Sequence, residues 1–387
     1  MSVQNNAQEA ILESVDLADL DLPFQSSPMM DFHETAKSIV GTTLLVGYLS
    51  DDTDCANPLE DCDGVGRIYS AHRHSSNHAE MQEALALDSD WEPDLDLVDD
   101  HLDRLRKPWI DAASQSEEFQ AWATETAGPC ARLDEAYFKR RAAKLWRETG
   151  GEYLYGEDCI DDFDFTTDVR IELWNELRSE GLIGDRDAVV LDCYDHGGQV
   201  WSITGQGMQC QWDTATGAGV WVPGDDAREE IERRASVYAF GLVLDNGDWT
   251  RGSGRKRYYA VLDNLYGGES SPQFSEWSEA FDWLSAKSRK LKLPKRKLPR
   301  ESALLRGRER AAAEIAKCDL DTYNNWLQGF TFGVVVATYE NVGTADEPEW
   351  SFVESDECWG YIGDDYAMEE VRARVTAEVQ RLQPKAA

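Results

Sequence analysis

Apolar positions in the first half of the chain recur mainly at helical spacing. Glu117–Thr126 and Leu133–Glu148 predict helices, the second carrying Leu133, Tyr137, Phe138, Leu145 and Trp146 and stopped by Gly150 and Gly151. Thr167 or Asp168 caps a further predicted helix through Leu177, with Ile171, Trp174 and Leu177 on one side and Gly181 past its end. From Ala188 the pattern shortens to apolar runs separated by glycine. Ala188–Tyr194, Gln199–Thr204, Gly219–Val222, Val237–Leu244 and Arg257–Leu262 predict strands, with Asn246-Gly247 as a turn signal. Earlier strands are expected at Ser38–Leu49 and Gly66–Ala71, and later ones at Phe330–Tyr339 and Trp350–Tyr361. Helices are expected at Asp225–Ala235, Ser275–Leu291, Glu301–Ala316 and Tyr366–Leu382. Ile11–Leu22 is a short amphipathic piece whose role is packing or none.

These elements predict an α+β fold: a mixed or antiparallel sheet with helices packed on one side and an acidic surface. Three regions are expected. Residues 1–38 form an acidic, loosely ordered arm, 39–185 an α-rich region with a short strand pair, and 186–387 an α+β region carrying a basic inserted segment, 286–317. Tyr238–Leu244 echoes Phe330–Val336, which reads as convergence on a buried strand rather than as a repeat. No apolar run reaches the roughly 18 residues of a membrane span, and the acidic N-terminus lacks the basic start of a signal peptide, so a cytoplasmic protein without membrane contact is expected.

Charge changes the picture. The chain of 387 residues carries 74 acidic and 38 basic side chains, a formal net charge of −36. Direct nucleic-acid binding by the acidic body is thereby excluded. The imbalance is also local. Glu80–Asp103 holds ten acids and no Lys or Arg, whereas Ala286–Lys317 holds twelve bases against three acids. The basic segment reads as an internal counterion strand or, alternatively, as a contact for a phosphate backbone. Three explanations compete for the acid: solvation in a high-salt cytosol, imitation of the phosphate array of a nucleic acid, and metal ligation. Mimicry places the partner-binding residues at Asp88, Asp90, Glu92, Asp94, Asp96, Asp99 and Asp100, and at Asp158, Asp161, Asp162 and Asp164.

Candidate chemistry is sparse. Cys55, Cys62, His72, His74 and His78 form the window densest in metal ligands, and thiolate with imidazole suits zinc, but the spacing is not a zinc-finger spacing and surface or structural histidines explain it as well. Asp195-His196-Gly197-Gly198 follows an apolar strand and reads first as a turn. With His72 and Asp213 these residues give an alternative catalytic set for a metal-dependent hydrolase acting on nucleic acid or nucleotide. Phosphate-loop, dinucleotide, nucleophile-elbow and HExxH motifs are absent, and no cofactor is expected. Eight cysteines without a C-x-x-C pair read neither as a disulfide framework nor as a zinc ribbon.

Several phrases, in order, resemble a family of phage- and plasmid-encoded proteins of unassigned function. They are Asn57-Pro58 with Arg67–Arg73, Tyr194–Gly198, Cys210–Thr214 with Gly217 and Gly219, and Cys358–Tyr361 followed by Asp365-Tyr366. The family pattern has Pro-Trp-Asp-Ser-Gly where this chain has Gln211-Trp212-Asp213-Thr214-Ala215, and a compact link where this chain carries Ser236–Lys317. The resemblance implies a mobile-element setting. The leading expectation is then a non-enzymatic inhibitor that mimics nucleic acid and binds a host nucleic-acid-binding defence protein or complex. The alternatives are the metal-dependent hydrolase and a halophilic cytosolic protein.

Overall fold

A computed structural model describes residues 11–28, 35–61, 66–73, 77–149, 165–245, 258–293, 300–344 and 347–383. Its strands are β1 (Ala36–Val40), β2 (Thr43–Asp51), β3 (Arg67–Ser70), β4 (Val189–Asp195), β5 (Gln199–Ile203), β6 (Thr214–Val222), β7 (Gly241–Asp245), β8 (Tyr258–Leu262), β9 (Thr331–Asn341) and β10 (Trp350–Ile362). Its main helices are α1 (His78–Leu85), α2 (Leu102–Gln115), α3 (Glu117–Glu125), α4 (Glu135–Thr149), α5 (Phe165–Glu180), α6 (Asp225–Tyr238), α7 (Trp277–Lys290), α8 (Glu301–Leu327) and α9 (Asp364–Leu382). The class is α+β, as expected. The strands divide into sheets of order β1-β2-β9-β10, β3-β6-β4-β5 and β7-β8. Among the described residues no helix is long and apolar enough to cross a membrane.

The chain clusters into two compact units, one of residues 1–67, 192–216 and 315–387, the other of residues 68–191 and 217–314. The expected divisions after residues 38 and 185 follow chain order, whereas these units are assembled from separated segments.

In the first unit, the antiparallel sheet β1-β2-β9-β10 buries both faces of its central strands. Leu45, Leu49, Phe332, Val334 and Val336 pack under Ala367, Met368, Val371 and Val375 of α9. The opposite face, with Leu44, Val46, Tyr48, Val335, Ala337 and Tyr339, is covered by Val15 and Leu17, flanked by Leu12, Leu20, Leu22 and Phe24. A strand covered on both sides needs apolar residues at consecutive positions, which explains the continuous runs in β2 and β9. The amphipathic piece Ile11–Leu22 therefore has a packing role. It is tied by Tyr48, whose hydroxyl donates to Phe24 O at 3.0 Å, and by Tyr339, whose hydroxyl donates to Asp21 O at 3.2 Å. Burial pushes the Tyr48 phenol up to about 12. The strand expected over Ser38–Leu49 is instead a hairpin: Val40 pairs with Thr43, and Gly41 takes the left-handed φ of 63° that the two-residue turn requires.

In the second unit, α2, α3, α4 and α5 share a core built on Leu105, Trp109, Phe119, Phe138, Trp146, Leu173 and Leu177. The Trp109 ring meets those of Phe119 and Trp146 with centroids 6.3 and 5.5 Å apart. Helix α2 contains Pro108, which removes one main-chain donor, yet four residues on its inner side are buried. Elsewhere in this unit Gly307 lets α8 approach the end of α6, since a Cβ there would lie 2.3 Å from Ala235 O. The segment expected as a strand at Val237–Leu244 is split. Tyr238 ends α6 and β7 begins at Gly241, so its likeness to Phe330–Val336 marks no shared strand. Asn246-Gly247 lies outside the described residues.

Candidate partner-binding segment and the His196 turn

The acidic run Asp88–Asp100 forms an ordered segment on the helical core of the second unit. Helix α1 stops where Ala86 turns left-handed with φ 55°, its N–H returning to Gln82 and Glu83 carbonyls. A tight loop follows. Leu87 and Pro93 form an antiparallel bridge, Asp88 N–H donates to Glu92 O at 2.9 Å, and Asp94 N–H donates to Ala86 O at 3.0 Å. The Asp88 carboxylate turns inward and accepts from the N–H groups of Asp90 and Glu92 at 2.8 and 3.0 Å. Asp94 caps the following 3-10 turn, Leu95–His101, by accepting from Asp96 N–H at 3.1 Å.

Two side chains of α5 hold this segment from below. Trp174 donates its indole N–H to Ala86 O at 3.0 Å, and Arg170 donates to Leu95 O at 2.9 Å while reaching Asp99 Oδ1 at 3.3 Å. Val98, fully buried, anchors the 3-10 turn in the core. Of the seven carboxylates, Asp88 and Asp94 are half-buried and bound to main chain, whereas Asp90, Glu92, Asp96, Asp99 and Asp100 are exposed. Repulsion among like charges favours an expanded segment, and the buried anchors oppose it. The second expected cluster, Asp158, Asp161, Asp162 and Asp164, lies outside the described residues.

The expected metal window is only partly described, since Cys62 and His74 fall outside it. The Cys55 carbonyl accepts from the Trp326 indole at 2.9 Å. His72 is buried, and its main-chain N–H donates to Ser70 Oγ at 2.9 Å. His78 opens α1, with its ring centroid 6.3 Å from that of Trp91. Among the described residues no three His, Cys, Asp or Glu side chains are grouped to hold a metal.

The alternative catalytic set is partly assembled in the first unit. Gly197, at φ 79°, turns the chain from β4 into β5, and Asp195 N–H donates to Asp213 O at 2.8 Å. His196 Nδ1 lies 3.2 Å from Asp213 Oδ2. The same oxygen accepts from the Cys210 thiol at 3.5 Å, so Asp213 bridges thiol and imidazole. The sequence marks Cys210 only within the resembling phrase Cys210–Thr214 and gives it no site role, although the spacing Cys-x-x-Asp within one turn is its signal. Sequence reasoning missed Asp192, a carboxylate inside the apolar run of β4. Asp192 is buried and accepts from Gly205 N–H at 2.9 Å and from Gln209 Nε2 at 3.1 Å. Trp212 projects beside the turn and is 86% exposed.

Comparison with protein-family models, curated proteins and solved structures finds no match to this chain.

Proposed function

We propose that this protein is a polyanionic decoy that binds a nucleic-acid-binding defence protein of its host through the exposed carboxylates of Asp88–Asp100. The supporting observation is the anchoring of that run: Trp174 and Arg170 hold its main chain, Asp88 and Asp94 close its turns, and Asp90, Glu92, Asp96, Asp99 and Asp100 are left facing solvent. A groove that accepts duplex DNA is lined with Lys and Arg and shaped for fixed negative charge, so carboxylates on an ordered scaffold compete better than the same charges on a random chain. The mobile-element setting implied by the sequence resemblance supplies the reason for such a decoy.

The test is affinity capture from the host, followed by competition. The retained protein should be released by duplex DNA, and binding should weaken steeply as salt rises. Reversing Asp90, Glu92, Asp96 and Asp100 to Lys should abolish capture while leaving the circular dichroism spectrum unchanged. Undiminished capture by the reversed variant overturns the assignment of this segment.

The contact between His196 and Asp213 favours a second reading, hydrolysis of a phosphate ester assisted by a metal. It requires zinc or manganese in the purified protein and a phosphodiesterase activity that disappears in His196→Ala.

A further inference from the structure

The second unit contains a cleft of about 410 Å³ between the start of α8 and the β7-β8 hairpin. Ala303 and Arg306 line it from the helix, and Leu242, Leu262, Asp263 and Asn264 line it from the hairpin side. Its floor is fixed. Gly307 sets α8 against the end of α6, and Gly241 lies so close to α7 that a Cβ there would be 2.4 Å from Leu284 Cδ1.

The two arginines of the cleft differ in their engagement. Arg310 is committed to the scaffold: Nε donates to Glu314 Oε1 at 3.0 Å, Nη2 donates to Val243 O at 3.0 Å, and the guanidinium stands 4.9 Å from the centre of the Tyr238 ring. Arg306, one turn earlier, is exposed and forms no ion pair with any described residue. Asp263, at the same cleft, uses Oδ1 to accept from Leu265 N–H at 2.9 Å, which leaves its second oxygen to accept from a ligand hydroxyl.

We propose that this cleft binds a small organic phosphate of nucleoside monophosphate size. Arg306 pairs with the phosphate, the Asn264 amide donates beside it, Asp263 accepts from a sugar hydroxyl, and Leu242 and Leu262 wall the apolar part. The guanidinium fork matches two phosphate oxygens at once. A volume of about 410 Å³ lies within the range of small-molecule sites and exceeds what a bare anion fills. This site is independent of the acidic segment, and neither reading depends on the other.

Calorimetric titration of the full chain at constant ionic strength with adenosine monophosphate, inorganic phosphate and acetate tests the proposal. The nucleotide should bind saturably and more tightly than phosphate, and acetate should give no saturable heat. Arg306→Ala should weaken the nucleotide about tenfold or more, Arg306→Lys should recover part of the loss, and Lys290→Ala, outside the cleft, should change nothing. Arg306→Gln serves as a second neutral variant should the alanine form fail to fold. Absence of saturable nucleotide binding, equal binding of acetate, or undiminished binding in folded Arg306→Ala or Arg306→Gln overturns the proposal.

Discussion

Trp174 and Ala86, 88 residues apart in the chain, are joined by an indole N–H donating to a main-chain carbonyl at 3.0 Å, with both residues buried. Ala86 is the residue from which the acidic loop departs, so this bond links the helical core to the base of the proposed partner-binding segment. Trp174→Phe keeps most of the apolar contact but removes one of the two donors to the Ala86 carbonyl, leaving the Asp94 N–H, at a cost of about 0.5–1.5 kcal/mol. The expected result is a lower unfolding midpoint in urea and faster amide exchange across Leu87–Val98 than in the helices around it. Unchanged exchange in that segment would show that the loop is held by other means.

Acid should weaken the α6 region through one carboxylate. Glu230 is held down to about 2 from its ordinary value of 4.5, first by the Arg233 guanidinium that donates to it and then by Arg234. A carboxylate with a lower pKa folded than unfolded stabilises the fold above about pH 4.5 and loses that contribution as pH falls toward 2. Glu230 is partly solvated, so screening reduces the effect at neutral pH to about 1 kcal/mol. Glu230→Gln should therefore be less stable than the parent at neutral pH by that amount, and the gap should close as pH falls through this window. A gap that is constant with pH would assign the loss to packing instead.

How much of this was readable in the sequence depends on whether the cause is local. Strands β9 and β10 and helix α9 follow from apolar pattern alone and lie within a few residues of expectation. The β1-β2 turn was hidden because Gly41-Thr42-Thr43 continues a run that favours strand, and only the pairing of Ala36 with Gly47 reveals the reversal. Helix α2 was hidden by the acids that precede it and by Pro108, both adverse locally, and it forms because Leu105 and Trp109 reach a core supplied by α4 and α5. The same limit applies to the sites. Seven carboxylates are visible as a charged run, but that Asp88 and Asp94 are turned to main chain depends on loop geometry. Likewise, the partner of His196 is Asp213 rather than its neighbour Asp195.

Part of the basic segment faces inward. Arg308 donates to Asp187 through Nη2 at 2.7 Å and also binds Glu232, while Lys287 pairs with Glu269 and Arg310 with Glu314. The Asp187 side chain is only 1% exposed and Arg308 13%, so removal of one partner leaves a largely desolvated charge. Asp187→Ala leaves Arg308 only its pairing with the exposed Glu232 and should cost about 1.5–3 kcal/mol, and Arg308→Met in the same chain should restore part of it. Chemical denaturation of the two single variants and the double variant measures the coupling. Simple additivity would mean that the pair contributes little beyond its separate contacts.

The close seating of α9 on the first sheet rests on a missing side chain. A Cβ at Gly47, in the centre of β2, would lie 2.6 Å from both Val371 Cγ1 and Val375 Cγ2. Both valines are buried in the core that this helix shares with Leu45, Leu49 and Val334. Gly47→Val favours strand by local propensity, yet it must push α9 off the sheet or force both valines out of their rotamers. Overpacking of this kind costs about 1–3 kcal/mol, more than the roughly 1 kcal/mol span of strand propensity. The variant should melt at a lower temperature than the parent, and trimming the facing side chain in Gly47→Val with Val371→Ala should recover stability. If the single variant is as stable as the parent, the helix is not seated against β2 as described, and the two-sided burial of that strand must be revised.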